Sequence, residues 1–152
     1  MVTVLIILLI AIDQISKLLV LSRLASVGTV EVIPGFFNLQ YLENRGAAFG
    51  ILQEGRPLFI VMTTIVVALL LYAIYIKGDE MNKVMRASLI LILAGAVGNF
   101  IDRLRLHFVV DFLSFNIFGH AFAVFNLADS MIVVGTILLV IQIIFKDEKK
   151  RS

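Results

Sequence analysis

The chain has no cysteine among its 152 residues. This absence excludes disulfide bridges, thiolate metal sites and a cysteine nucleophile. Charge is also scarce, since Asp, Glu, Lys and Arg make up 16% of the chain, against about a quarter in soluble domains. The net charge is only +2, and the basic residues do not interleave with exposed aromatic residues, so we expect no nucleic-acid partner.

Apolar sequence is abundant: 61% of the residues are hydrophobic and the mean hydropathy is +1.04. Four apolar runs have about the 20 residues that a helix needs to cross the hydrocarbon core. They cover residues 2–21, 57–76, 87–104 and 123–145. No linker or internal repeat divides the chain. We therefore predict one integral membrane domain over residues 1–152, an all-α membrane protein with four transmembrane helices.

The basic residues are unevenly distributed between the two ends of these helices. Seven lie at the end that carries both termini: Lys77, Lys83, Arg86, Lys146, Lys149, Lys150 and Arg151. Five lie at the other end: Arg23, Arg45, Arg56, Arg103 and Arg105. Because cytoplasmic loops are enriched in Lys and Arg, we predict that both termini are cytoplasmic.

The segments at the opposite end have structure of their own. Apolar and polar residues alternate from residue 37 to 41 (FNLQY), which predicts a half-buried strand, and Pro34-Gly35 predicts the turn before it. Residues 108–125 are rich in Phe, Val and Leu around Gly119-His120, which suits a segment lying in the membrane interface. We expect a small, β-containing extracytoplasmic part against the bilayer surface.

Polar residues of the apolar runs gather at this same end. They are Asp13 and Lys17 of the first run, Asn99, Asp102 and Arg103 of the third, and Asn126 and Asp129 of the fourth, with Asn44 and Asp111 in the adjoining segments. An ionisable group at membrane depth costs roughly 2.5–3.5 kcal/mol on insertion scales, so each one indicates a function or a mutual pairing.

Two of these groups have a structural interpretation beside the functional one. Asp13 and Lys17 are spaced i,i+4, as in an ion pair that anchors a helix. The polar residues that end the third run share one face and are equally compatible with an interfacial anchor or with support of a site. In the same run, Ala94 and Gly98 have the small-x-x-x-small spacing that permits close helix packing.

Asp111 and Asp129 are each surrounded by apolar neighbours without an adjacent basic residue. Two buried carboxyl groups brought close together share one proton, which supplies one base and one acid for amide hydrolysis by water. Asn126 lies one turn before Asp129, where its amide could orient a carboxylate or bind an oxyanion. The alternative is that the two acids are unrelated and that Asp129 only stabilises a helix N-terminus.

Three other functions are alternatives to amide hydrolysis by the two carboxyl groups. A proton or ion pathway also uses intramembrane polar residues, but they would be spread across the membrane thickness. A serine peptidase with a lysine base could use Ser16, Ser114 or Ser130, although Ser16 and Lys17 project to different helical faces. Metal-dependent hydrolysis is disfavoured because His107 and His120 are isolated and no H-E-x-x-H motif is present.

The chain resembles the lipoprotein signal peptidase (signal peptidase II) family in five motifs that occur in the family's order. They are Asp13-x-x-x-Lys17, Asn44-Arg45-Gly46-Ala47-Ala48-Phe49, Gly95-Ala96-Val97-Gly98-Asn99-Phe100-Ile101-Asp102-Arg103, Val109-Val110-Asp111-Phe112 and Phe125-Asn126-Leu127-Ala128-Asp129. The one departure is Ala94, where many members have Gly.

This resemblance implies an aspartic endopeptidase of the bacterial cytoplasmic membrane, without cofactor or metal, that removes the signal peptide of a prolipoprotein before a diacylglyceryl-modified cysteine. It implies that Asp111 and Asp129 are catalytic. It further implies site-supporting or substrate-binding roles for Asn44, Gly46, Asn99, Arg103, Asn126, Asp13, Lys17 and Asp102. The external loops would form a cradle and flap, and membrane lipids and the antibiotic globomycin are expected to bind there.

Overall fold

A computed structural model describes residues 1–46 and 56–151, without the side chains of Arg56 and of residues 146–151. Within this part the chain forms four long helices, α1 (Val2–Arg23), α2 (Arg56–Ile76), α3 (Lys83–Arg105) and α4 (Leu127–Arg151). It also forms four strands, β1 (Thr29–Ile33), β2 (Phe37–Asn44), β3 (Val109–Ile117) and β4 (His120–Ala121). All four helices are long and apolar enough to cross a membrane, which confirms the prediction of four long apolar helices.

The starts of two helices differ by four residues from the prediction because polar partners, and not the apolar runs, set them. α4 also ends at Arg151, six residues beyond the predicted end. α3 begins four residues earlier than predicted, since Asn82 Oδ1 accepts a hydrogen bond from Met85 N–H (2.8 Å) and caps the helix. α4 begins at Leu127, not at residue 123. The residues before it are extended, and Phe125 and Leu113 exchange backbone hydrogen bonds of 2.7 and 3.1 Å.

The helices alternate in direction, so the start of α1 and the end of α4 lie at one end of the bundle. At that end a buried apolar cluster joins α1, α2 and α3: Ile6, Ile74, Leu89, Ile90 and Leu93. Asn82 Nδ2 donates to Gln142 Oε1 (2.5 Å), which connects the start of α3 to the second half of α4. The sheet and the polar residues therefore occupy the opposite end.

Glycines let α3 pack closely against its neighbours. A Cβ atom at Gly95 would collide with the carbonyl oxygen of Ala128, and one at Gly135 would lie 2.7 Å from the carbonyl oxygen of Ser88. A Cβ atom at Gly98 would collide with a carboxylate oxygen of Asp13. With Ala94 fully buried, the small-x-x-x-small spacing of α3 is confirmed as a packing feature. The absence of a side chain at Gly98 also lets the backbone of α3 contact Asp13.

The sheet is antiparallel throughout, in the order β1-β2-β3-β4. The strand predicted from residue 37 is confirmed as β2, and the turn at Pro34-Gly35 joins it to β1. Residues 108–125 were not predicted as strands, yet they form β3 and β4. The turn between these strands lies at Phe118-Gly119, one residue before the predicted position, and both residues have positive φ (51° and 82°).

A second apolar cluster attaches this sheet to the bundle. Val110 and Phe112 of β3 pack against Val20 and Leu24 at the end of α1. The side chains of β3 alternate between the two faces of the sheet, so Asp111, which lies between these anchors, points to the other face. The packing of β3 on α1 therefore determines where the Asp111 carboxyl lies.

Candidate active site

Asp129 belongs to a reciprocal cap at the start of α4. Asn126 Oδ1 accepts a hydrogen bond from Asp129 N–H (2.9 Å), and Asp129 Oδ2 accepts one from Asn126 N–H (3.1 Å). This is the capping-box arrangement, in which two helix-terminal N–H groups are satisfied at once. The other carboxylate oxygen of Asp129 accepts from Asn99 Nδ2 at 2.7 Å. Asp129 is thus both a helix-start residue and a member of a wider polar network.

Asp111 lies on β3 and is almost completely buried, with 1% of its surface exposed. Its Oδ1 accepts from Asn126 Nδ2 (2.7 Å) and its Oδ2 from Asn44 Nδ2 (2.8 Å). Burial, followed by the charge of Asp129, raises the pKa of the Asp111 carboxyl to about 6. Asn126 therefore contacts both acids, since its backbone N–H binds Asp129 and its side-chain amide binds Asp111.

Asn99 connects this pair to a buried cation. Its Oδ1 accepts from Asn126 Nδ2 (3.2 Å) and from Lys17 Nζ (2.9 Å), while its Nδ2 donates to Asp129. Amide side chains both donate and accept, so Asn99 and Asn126 can link acceptor-only carboxylates to one another and to a donor-only lysine.

Beneath the asparagines, Lys17 forms two buried ion pairs. Its Nζ lies 3.0 Å from Asp13 Oδ2 and 3.1 Å from Asp102 Oδ2, and all three side chains are at most 1% exposed. Gln14, which was not predicted as a site residue, donates through Nε2 to both carboxylates (3.2 and 3.0 Å) and to the carbonyl oxygen of Gly98 (3.1 Å). Its polarity within an apolar run, directly after Asp13, was the available signal.

Each carboxylate of this ion cluster also holds a backbone N–H group. Asp102 Oδ2 accepts from Val110 N–H (3.2 Å), and Asp13 Oδ1 accepts from Ala128 N–H (3.0 Å). Val110 directly precedes Asp111, and Ala128 directly precedes Asp129. The cluster centred on Lys17 thereby connects α1 and α3 to the two backbone segments that carry the candidate acids.

Asp111 and Asp129 open into one cavity of about 780 Å³. Its other polar lining residues include Glu43, Asn44, Arg45, Asn99 and Arg103, and its apolar lining includes Phe122, Val124, Phe125, Ile132 and Val133. The Arg103 guanidinium lies 4.9 Å from the centre of the Phe59 ring of α2, and it donates to the Asn99 carbonyl oxygen (3.4 Å). The cavity thus combines three carboxyl groups, amide groups and two guanidinium groups with an apolar wall.

The structure brings the ten predicted site residues together at one end of the bundle. Asn44, Gly46, Asn99, Arg103, Asp111 and Asp129 line the cavity, and Asn126 joins the two acids. Asp13, Lys17 and Asp102 form the buried ion cluster below. Ala47, Ala48 and Phe49 of the quoted motif lie outside the described residues.

The residues of the competing functions have other surroundings. Ser16 Oγ donates to the Asp13 carbonyl oxygen (2.7 Å) and Ser130 Oγ to the Asn126 carbonyl oxygen (3.0 Å), so neither hydroxyl is bonded to Lys17. His107 lies in the turn after α3 with φ of 72°, and His120 is exposed on β4. The far end of the bundle is built around the apolar cluster of α1, α2 and α3, which does not favour an ion pathway.

Comparison with known proteins gives one consistent family. The sequence profile described as "Signal peptidase (SPase) II" matches residues 5–145. The chain is similar to the lipoprotein signal peptidase of Clostridioides difficile (strain 630), with 45% identity over 96% of both chains. It is also similar to that of Caldanaerobacter subterraneus subsp. tengcongensis, with 50% identity over 88% of this chain and 89% of the relative.

Solved structures have the same fold. Two chains described as bacterial membrane enzymes determined by the in meso method each share 37% sequence identity with this one. The first has a TM-score of 0.87 and covers 99% of this chain and 91% of its own. The second has a TM-score of 0.82, with 93% and 91% covered.

Proposed function

The chain belongs to the signal peptidase II family, and we propose that Asp111 and Asp129 are the carboxyl pair with which it cleaves its substrate. Its activity is that of an aspartic endopeptidase that removes the signal peptide from diacylglyceryl-modified prolipoproteins, cutting before the lipidated cysteine. One observation carries the assignment of the pair: both acids line one cavity and both are hydrogen-bonded to Asn126.

The surroundings of the two acids suggest which one holds the shared proton. Asp129 lies at the start of α4, where the helix macrodipole favours a negative charge, and it accepts two N–H groups. Asp111 lies on a strand, without such a field, and its pKa is raised to about 6. We assign the proton to Asp111 and the negative charge to Asp129, since two neighbouring carboxyl groups in unlike environments divide into acid and base.

The reaction then needs only water and this pair. Asp129 takes a proton from a water molecule while the oxygen of that water attacks the scissile carbonyl carbon. Asp111 gives its proton to the carbonyl oxygen. Asp129 next delivers its proton to the leaving nitrogen, while Asp111 recovers a proton from the hydroxyl group as the C–N bond breaks. The products are a carboxylic acid and an amine, and the pair returns to its starting state.

The other polar cavity residues suit a peptide backbone. Asn44 and Asn126 hold Asp111 from two sides, and Gly46 N–H donates to Asn44 Oδ1 (3.1 Å), which orients that amide. Arg103 lines the cavity and supplies positive charge near the developing oxyanion. We assign substrate positioning to Asn44, Gly46, Asn99 and Arg103, and support of the acids to Asn126, Asp13, Lys17 and Asp102.

The position of the cavity suits a substrate that stays in the bilayer. Exposing a lipid chain to water costs about 0.8 kcal/mol per methylene, so the site must come to the lipid boundary. The cavity lies at the sheet end of the bundle and includes Val133 of α4 in its wall. We propose that this end faces away from the cytoplasm, with both termini cytoplasmic, and that membrane lipids and globomycin-type inhibitors bind at this cavity.

Cleavage of a diacylglyceryl-modified precursor in detergent tests the catalytic pair. Asp111→Asn and Asp129→Asn should each abolish turnover, while Asp79→Asn, which changes an exposed acid at the other end of the bundle, should retain it. Circular dichroism would verify that each variant is folded. Cleavage is also expected to persist in a metal chelator. Full activity in either folded site variant would refute the assignment.

Sidedness has an independent test, because single cysteines can be introduced into a chain that has none. Thr29→Cys on β1 should react with a membrane-impermeant maleimide in intact cells. Asp79→Cys should react only after lysis. The reverse pattern would invert the proposed topology without affecting the catalytic pair.

A further inference from the structure

The β3–β4 hairpin presents the most exposed aromatic side chain of the described residues. Phe118 is 98% exposed and forms the two-residue turn with Gly119. Both residues have positive φ, which favours Asn-Gly at such turns and is rare for a bulky residue. Neither the turn geometry nor packing within the described chain accounts for phenylalanine at this position.

Other exposed apolar side chains lie on the same hairpin as Phe118 and on the β1–β2 turn that is hydrogen-bonded to it through Asn116 N–H and the Phe36 carbonyl oxygen. Phe36, Ile117, Phe118 and Phe122, which we call the hairpin patch, are 46%, 45%, 98% and 52% exposed. The patch is adjacent to an aromatic row, since the rings of Phe36 and Phe122 lie 5.6 and 6.0 Å from those of Phe115 and Phe125. Residues 112–128 contain no Asp, Glu, Lys or Arg. The hairpin is therefore predominantly apolar and contains none of these four residue types.

The hairpin patch continues into the membrane-facing surface of the bundle. Phe122 and Val133 line the same cavity, and Val133 is 56% exposed on the membrane-spanning helix α4. Eight residues separate Phe118 from Leu127, where α4 begins, so at about 3.3 Å per residue the tip lies within roughly 30 Å of the start of that helix. Because Phe122 of the patch and Val133 of α4 line one cavity, the base of the patch lies beside the first two turns of α4.

We propose that the hairpin patch inserts into the lipid surface at the sheet end of the bundle, with Phe118 as its leading side chain. Aromatic rings are favoured at the membrane interface, and an uncharged apolar tip inserts without burying a charge. Insertion would keep the cavity wall at Phe122 at the lipid boundary. The proposal rests on the membrane location and does not depend on the catalytic roles of the acids.

Tryptophan fluorescence in nanodiscs tests this insertion, because the chain has no tryptophan of its own. Phe118→Trp should be quenched by lipids brominated near the glycerol end of their acyl chains and should be shielded from aqueous iodide. Val134→Trp, at a position of α4 that is 49% exposed and outside the cavity lining, provides the lipid-facing reference. Asp79→Trp, at an exposed acidic position, provides the aqueous reference, with strong iodide quenching and no effect of brominated lipid.

Three results would overturn the proposal. Iodide quenching of the Phe118→Trp variant equal to that of the Asp79→Trp variant would place the tip in water. Shielding from iodide without quenching by brominated lipid would indicate a protein contact, such as a second copy of the chain. Shielding that appears only after precursor is added would assign the hairpin patch to the substrate. A nitroxide on Phe118→Cys, read by its power saturation with oxygen and with a water-soluble nickel chelate, gives a second depth measurement.

Discussion

Replacing Asp111 by asparagine should change how the stability of the protein depends on pH, in addition to abolishing cleavage. The folded protein raises the pKa of this carboxyl from its ordinary 3.8 to about 6. Between these two values the native state keeps a proton that the unfolded chain has lost. Since stability rises with pH only where the unfolded state binds more protons, this group makes the protein less stable as pH rises through that window.

The expected magnitude follows from the pKa difference. Each pKa unit corresponds to about 1.4 kcal/mol, so the rise to about 6 costs on the order of 3 kcal/mol of unfolding free energy. The full cost applies above pH 6 or so and is absent below the ordinary value of 3.8. Asparagine is neutral at all these pH values and removes the cost.

The substitution also has a cost that does not depend on pH. The carboxylate accepts from Asn44 Nδ2 and from Asn126 Nδ2 through different oxygens, and asparagine has only one oxygen. One buried donor therefore loses its acceptor, at about 1–3 kcal/mol. Because this loss is constant, the change with pH in the difference between wild type and variant isolates the ionisation of Asp111.

The measurement is reversible unfolding in mixed micelles at several pH values from 4 to 7. The free-energy difference, variant minus wild type, should increase by on the order of 3 kcal/mol over this range. Asp79→Asn, which changes an exposed acid, should give a nearly constant difference. Parallel pH profiles for wild type and Asp111→Asn would show that Asp111 ionises as an ordinary carboxyl and would remove the argument for it as the acid.

Three further predictions concern the groups around the acids. Gly98→Ala should lower thermal stability by about 1–3 kcal/mol, because the new Cβ collides with a carboxylate oxygen of Asp13; an unchanged melting temperature would contradict this close approach. Asn126→Asp should retain the helix cap but turn the donor to Asp111 (2.7 Å) into an acceptor. It should therefore lose at least about 100-fold in kcat, the magnitude of a lost general acid–base contribution, while staying folded, and wild-type turnover would exclude this role for Asn126. Lys17→Met leaves two buried carboxylates without their cation and should cost about 3–5 kcal/mol in chemical unfolding; a loss below about 1 kcal/mol would contradict a stabilising role of these ion pairs.

The four spans could be predicted because a bilayer imposes a length on apolar runs, whereas the helix ends depend on polar partners. The start of α2 at Arg56 is within one residue of the prediction, since its apolar run has a sharp boundary. The start of α4 was four residues off, because Phe125 pairs with Leu113 and so belongs to the sheet. An apolar run in the sequence does not indicate that one of its residues pairs with a strand.

The sheet could be predicted only where one of its faces is polar. Apolar and polar residues alternate in β2, which was predicted. Residues 109–112 of β3 (VVDF) are all buried and do not alternate between apolar and polar residues, so periodicity does not identify them as a strand. Polar and apolar residues also alternate from Thr29 to Val32 in β1, but this strand was not predicted. Its pairing with β2 makes it part of a sheet that the short apolar segments alone do not indicate.

The depth of the site along the helices could be predicted from the sequence, but the hydrogen bonds between its residues could not. Counting along the helices indicates that Asp13 and Asp102 reach the same level, because each residue advances a helix by about 1.5 Å. That Asp13 accepts the N–H of Ala128, and Asp102 that of Val110, depends on how α1, α3 and β3 pack. Gln14 was missed for the same reason, since its three acceptors are brought together only by the crossing of α1 and α3.

The start of a helix is where a carboxylate can be placed at a lipid boundary at the lowest cost. The first N–H groups of α4 lack partners within the helix and have little access to water, so they must be satisfied by side chains. Asp13, Asn126 and Asp129 satisfy three of these backbone positions, and the macrodipole favours negative charge on the two aspartates. Asp111 lies on a strand and has no such compensation, so burial raises its pKa. In the proposed mechanism, this difference between a helix start and a strand makes Asp129 the base and Asp111 the acid.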